Sequence, residues 1–252
     1  NNHFKEMFGV LDTHIVLGVN GINPNTLTNE KMRFLLQKYI FSNFEHLKSI
    51  KGYKIEFNPQ YFLPTQAGNI DTKEFQQFNE FSEEEKKILI SNINRNPLVI
   101  LSGVSATDAI YDELISFFSK LEIKISPNSR KITRAEFKNI EDIKQPWDLL
   151  LLSTSVGCND PDGLYHTLGE FGAIHLKPFG RKMVYNALEE ARQVIDEQKV
   201  QDAYKKVNLA ILNEVPAIHL GYSSFSMVYN SNKIKFEGKG SNILFLKNYS
   251  WK

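Results

Sequence analysis

A single cysteine, Cys158, in 252 residues excludes an intrachain disulfide, and one thiol alone does not fix the redox compartment. Neither cations nor anions dominate. The 30 basic and 29 acidic side chains leave a net +1, and cations sit among acids, as in Glu84-Glu85-Lys86-Lys87, in the manner of solvated helix faces. Nucleic acid is therefore not expected as a partner. No apolar run reaches the roughly 18 residues a membrane span needs; the longest, around Asp148 to Leu152, has the length of a strand. The start, Asn1-Asn2-His3-Phe4, lacks a basic segment leading into an apolar one, so a signal or anchor is expected to have been removed or to lie outside this sequence. The 14 glycines and 9 prolines are dispersed and form no repeat, low-complexity tract or clear linker. What remains is a composition 42% hydrophobic, enough for one domain with a sizeable core.

Periodicity supplies the elements. Thr13 to Asn20 reads as a strand, and Gly21 to Thr26 as a turn-rich loop. Thr28 or Asn29 caps a helix in which Met32, Leu35, Leu36, Tyr39, Ile40 and Phe44 recur at helical spacing. Residues 52–80, with Pro59, Pro64 and Gly68, carry no period and are expected to be irregular for a functional or packing reason. Ser82 to Glu85 is a capping box opening a short helix. A buried strand follows at Pro97 to Leu101, then an amphipathic helix over 106–121 with Ile110, Leu114, Phe117, Phe118 and Leu121 on one stripe. Leu121 to Ser126 alternates like a half-exposed strand. Thr133 to Glu136 is a second capping box, with its helix expected to reach about Lys144, and Trp147 to Ser153 is another buried strand. Helices are expected at Arg181 to Ile195 and Lys199 to Asn213. The latter stops before Val215-Pro216, where proline favours an extended Val215. Pro216 to Leu220 and Phe225 to Tyr229 read as short strands. Strands alternating with helices make an α/β fold, a sheet flanked by helices in one domain. Its ligand crevice is expected beyond the carboxyl ends of the strands, at Ser102 to Ser105 and Thr154 to Gly163.

The densest polar cluster, Gly157-Cys158-Asn159-Asp160-Pro161-Asp162-Gly163, comes after the strongest strand. Pro161 holds Asp160 extended and aims its carboxylate at the end of the sheet. Local chemistry leaves two roles open: an acid that orders its own loop through an Asx turn, or an acid offered to a ligand. An EF-hand is excluded, because glycine falls at the fourth position from Asp160 and Leu164 at the fifth. Cys158 with His166 or His175 would be the only nucleophile–base or metal reading. No CxxC, HxxxH or HExxH spacing supports a metal, and Cys158 reads better as a packed side chain. Gly221 to Phe225 lacks the second glycine of a nucleophile elbow, and Gly103 is not followed by the Gly-Lys of a phosphate loop. No catalytic residue, metal or cofactor is expected.

Four segments in order resemble the family 5 extracellular solute-binding proteins of ABC importers, the oligopeptide- and dipeptide-binding type. They are Ile15 to Asn20 with the Pro24 loop and Lys31-Met32-Arg33; Leu114 to Ile125; Trp147 to Leu151 running to Asp160-Pro161-Asp162; and Asp202 to Leu220. Two departures are visible: Thr154 stands where an aromatic is often found, and Phe34-Leu35 follow the arginine where the family has alanine. Family chains are roughly twice this long, more than one typical domain, and form two lobes around a ligand. The resemblance makes this chain the C-terminal lobe of such a protein, a mixed sheet flanked by helices of the periplasmic-binding-protein-like kind. It implies hinge closure over a small peptide or peptide-like solute and docking of the closed form on a membrane permease. Asp160 would salt-bridge the ligand's amino group, with Asn159, Thr154 and Ser155 beside it. A monomer is implied, in a periplasmic or extracytoplasmic location that leaves anchoring through a segment outside this chain open. The alternative is a scaffold or regulatory domain that keeps the fold without transport.

Overall fold

A computed structural model describes residues 4–21, 25–44, 54–63, 66–103, 105–143, 145–155, 161–164, 168, 181–236 and 249–251. Its strands are β1 Phe4–Val19, β2 Lys54–Phe57, β3 Ile100–Ser102, β4 Arg130–Lys131, β5 Leu149–Ser155 and β6 Ala217–Asn230. They form one six-stranded sheet of order β2-β6-β1-β5-β3-β4. The sheet is mixed: β3 runs parallel to both β4 and β5, and every other neighbouring pair is antiparallel. A separate two-stranded ladder joins β7 Ile234–Phe236 to β8 Tyr249–Trp251.

The unbroken run Leu149 to Leu152 reflects coverage of both faces. Leu149 and Leu151 enter one core with Ile15, Leu17, Ile100 and Ile218, while Leu150 and Leu152 enter another with Val16, Leu101 and Ala217. The first core is closed by α1 Glu30–Ser42, α3 Glu83–Ile93 and α4 Ser105–Lys120. The second is closed by α6 Arg181–Arg192 and α7 Glu197–Glu214, with Tyr61 and Phe62. α5 Arg134–Lys138 lies between β4 and β5 and brings Phe137 to the second core. Each fully buried Leu or Ile adds about 1.5–3 kcal/mol of burial. Both capping boxes form, Ser82 with Glu85 and Thr133 with Glu136, and Asn29 rather than Thr28 caps α1.

Several expectations are corrected. Residues 52–80 contain β2 and the helix α2 Thr72–Asn79. Side-chain amides hold the described residues between them: Gln60 exchanges two hydrogen bonds with the Ile70 backbone, and Asn208 donates to Gln60 Oε1 and the Gly68 carbonyl. Leu121 to Ser126 is not a strand but contributes a single parallel bridge, Ile125 to Leu98. The helix end explains this. Glu122 adopts φ 63°, Ile123 N–H reaches back to the Phe118 carbonyl and Glu122 N–H to that of Ser119, which is a Schellman closure. The sheet edge is taken instead by β4. α5 stops at Lys138, followed by one 3-10 turn at Ile140–Asp142. Val215 is left-handed (φ 48°, ψ 56°), not extended, because its N–H caps the Ile211 carbonyl while its side chain is fully buried. β1 begins at Phe4, ahead of the expected Thr13, and the two short strands after Pro216 are one continuous β6 with register shifts against β1.

Candidate functional site: the crevice beyond β3 and β5

Two parallel neighbours, β3 and β5, release the chain at the same end of the sheet but towards opposite faces. After β3 the chain enters α4, whose Ile110, Leu114, Phe117 and Phe118 pack in the first core. After β5 it reaches a 3-10 turn, Pro161–Leu164, whose Leu164 packs with Val184 and Leu188 in the second. Divergence of this kind leaves a crevice outside the carboxyl ends of both strands. Gly103 N–H bonds the Leu151 carbonyl at 2.9 Å, tying the two mouths together. A Cβ at Gly103 would lie 2.7 Å from the Phe137 ring, so glycine admits that ring beneath the crevice.

Thr154 and Ser155 end β5 at this crevice, opposite His14 and Thr13 of β1, and Thr154 is half-buried. Asn159 and Asp160 lie outside the described residues, as do Cys158, His166 and His175. Beyond Pro161, Asp162 pairs with Arg192 Nε at 3.1 Å and accepts from the Tyr204 hydroxyl at 3.4 Å, so the 3-10 turn is fastened to α6 and α7. Among the described residues, no group of three or more His, Cys, Asp or Glu is placed to hold a metal ion.

Sequence reasoning passed over two histidines that the structure brings together. His14 and Tyr222 are register partners, and His14 pairs on its other side with Thr154, which forms one row across β5, β1 and β6. His14 Nδ1 lies 3.0 Å from His219 Nε2, and His219 Nδ1 contacts the Asn58 carbonyl. A carbonyl only accepts, so His219 carries its proton on Nδ1 and its Nε2 accepts from His14 Nδ1–H. Both rings are neutral in this arrangement. The tyrosines enclose them: Tyr61 stacks on His14 with centroids 5.7 Å apart, and Tyr222 lies 4.8 Å away. Burial pushes His14 down to about 3, and burial followed by the His14 charge holds His219 well below its ordinary value. Tyrosine faces offer a desolvated cation about 2 kcal/mol, against the several kcal/mol that burying an ion costs. The only local signal was a histidine at an inward position of each of two apolar strands.

No family model matches this sequence. No curated protein matches it either. Solved structures do. The ABC transporter substrate-binding protein CtaP from Listeria monocytogenes is 13% identical, with a TM-score of 0.72, over 98% of this chain and 52% of that one. The nickel ABC transporter protein from Bacillus halodurans is 16% identical, with a TM-score of 0.68, over 94% and 51%. The oligopeptide-binding protein AppA from Bacillus subtilis, solved with a nonapeptide, is 14% identical, with a TM-score of 0.65, over 100% and 53%. The chain thus spans about half the length of the structures it matches. Its mixed α/β fold is that of about half of each of these ABC-transporter and oligopeptide-binding structures.

Proposed function

We propose that this chain is the C-terminal lobe of a two-lobed, extracytoplasmic and monomeric protein that captures a small peptide or peptide-like solute for an ABC importer. The carrying observation is the likeness in fold across nearly the whole chain to substrate-binding proteins, one of them solved with a nonapeptide. The crevice where β3 and β5 diverge supports a ligand position at the Thr154 end of β5. In this reading Asp160 salt-bridges the solute's amino group, Asn159, Thr154 and Ser155 add hydrogen bonds, and extended backbone at the crevice binds peptide main chain as an added strand. Hinge closure on the second lobe completes the pocket, and the closed form docks on the permease. No helix among the described residues is long and apolar enough to cross a membrane.

Titrating a set of di- to nonapeptides into the full-length protein tests this. Asp160→Ala is expected to weaken binding by about 2–5 kcal/mol, as loss of one partner of a desolvated charge pair does. N-acetylation of the peptide should cost the native protein a similar amount and the variant nothing further. Unchanged affinity in Asp160→Ala removes Asp160 from the site.

A further inference from the structure

The 3-10 turn Pro161–Leu164, by which the chain returns from the crevice, is held differently at its two ends. At the far end Leu164 is buried and packs with Val184 and Leu188 of α6. Apolar contact there already fixes the turn to the body of the domain. At the near end the fastening is polar and converges on one carboxylate. Asp162 Oδ1 accepts from Arg192 Nε at 3.1 Å and from the Tyr204 hydroxyl at 3.4 Å.

Both donors are themselves held. Arg192 is the last residue of α6, where a cation meets the negative end of the helix dipole, and Glu189, three residues back, lies 3.5 Å from its Nη1. Tyr204 is buried on α7 and meets the Phe62 ring edge-on, with centroids 6.1 Å apart. Its main chain sits so close to Gly68 that a Cβ there would lie 2.8 Å from Tyr204 Cβ. Three residues earlier, Gln201 donates to the Asn69 carbonyl and accepts from Gly68 N–H. The clamp is thus anchored on α6 and α7 at once, and the carboxylate it grips is the neighbour of Pro161.

Magnitudes favour a positional role over a stabilising one. The side chains of Arg192 and Asp162 are 40% and 33% exposed, and solvent screening leaves such an ion pair little net stability. Its geometric effect is larger. Proline has a fixed φ and restricts the residue before it to extended backbone. A turn gripped at Asp162 therefore narrows the directions open to the residue ahead of Pro161, which is Asp160. A group fixed before its ligand arrives costs less to order on binding.

We infer that Arg192 is a positioning residue of the solute site: by gripping Asp162 it sets the turn from which Asp160 meets the solute's amino group. The inference rests on the proposed function. Calorimetric titration of the full-length protein tests it, using the tightest binder among the di- to nonapeptides with its amino group free or N-acetylated. The proteins compared are the native one, Arg192→Gln, Asp162→Asn and the double variant. Each single variant is expected to bind the free-amine peptide about 10-fold more weakly, with an unchanged urea midpoint. The double variant should bind no more weakly than either, because both changes break one clamp. The acetylated peptide should lose nothing in any variant. Full affinity in Arg192→Gln overturns the inference. So do additive losses, which would mark two separate contacts with the solute, and an equal loss for the acetylated peptide, which would place the effect away from Asp160. A urea midpoint that falls together with the affinity for both peptides assigns Arg192 to stability and overturns it as well. A native protein that binds no peptide overturns the proposed function and the inference with it. A native protein that binds, with Arg192→Gln binding equally, keeps that function and removes Arg192 alone.

Discussion

Arg33 shows how a side chain can be recognisable in a sequence while its work stays hidden. It carries the resemblance as the arginine that follows the Pro24 loop, and its position suggests an exposed cation near a helix start. Instead it is 2% exposed, and its guanidinium donates to the Leu27 and Thr28 carbonyls and, through Nε and Nη2, to the Glu214 carbonyl at the end of α7. Five fixed donors suit a cluster of helix-terminal carbonyls that a point-like ammonium cannot span. Arg33→Met should therefore cost about 2–4 kcal/mol in a urea titration, from carbonyls stranded without a donor, and Arg33→Lys should recover less than half of it. A cost below about 1 kcal/mol for the methionine variant would show that water replaces the arginine.

Among elements, what the sequence made legible was local. Ser82 with Glu85 and Thr133 with Glu136 are three residues apart, and both boxes form; the all-apolar Leu149 to Leu152 could only be a strand covered on two faces. What stayed hidden was carried by distant partners. The amides of Gln60 and Asn208, 148 positions apart, order a stretch without any period. The row of Thr154, His14 and Tyr222 needs a register that no single segment encodes. The acid placed at the centre of the site, Asp160, falls outside the described residues, so the structure gives the divergence of β3 and β5, and the ligand site beyond it remains a proposal. Leu121 to Ser126 misled because alternation was weighed without the helix end before it. Glu122 there takes a left-handed conformation that glycine adopts without strain. Its exposed ion pair with Lys86, at 2.7 Å, is worth only a few tenths of a kcal/mol after solvent screening. Glu122→Gly is thus expected to raise stability by about 0.5 kcal/mol, and Glu122→Ala, which keeps the strain and loses the pair, to lower it. Equal effects of the two in urea titrations would assign the position to the ion pair instead.

For the molecule as a whole, the described buried histidines and capped carboxylates each contribute to the acid limb of stability. The folded-state values of His14 and His219 lie below the ordinary 6.5, so the unfolded chain takes up their protons first. Their contribution is complete above pH 6.5 and is lost as pH falls from there towards the His14 value of about 3. Glu136 is held down to about 2, chiefly by Arg130, and Glu85 is lowered by hydrogen bonds from Lys38 and Ser82 that outweigh its burial. Those contributions are intact above the ordinary 4.5 and vanish only below it. Asp148, raised by burial, runs the other way and regains a little stability in acid. Between pH 6.5 and 4.5 the two buried histidines lower stability as pH falls, and Glu214, raised above its ordinary 4.5 by burial, works against them. Urea midpoints should be flat from about pH 7.5 to 6.5 and then fall steadily, with a shallower fall in His14→Gln. A curve that stays flat down to about pH 4.5 would mean that the two rings are not buried as a neutral pair.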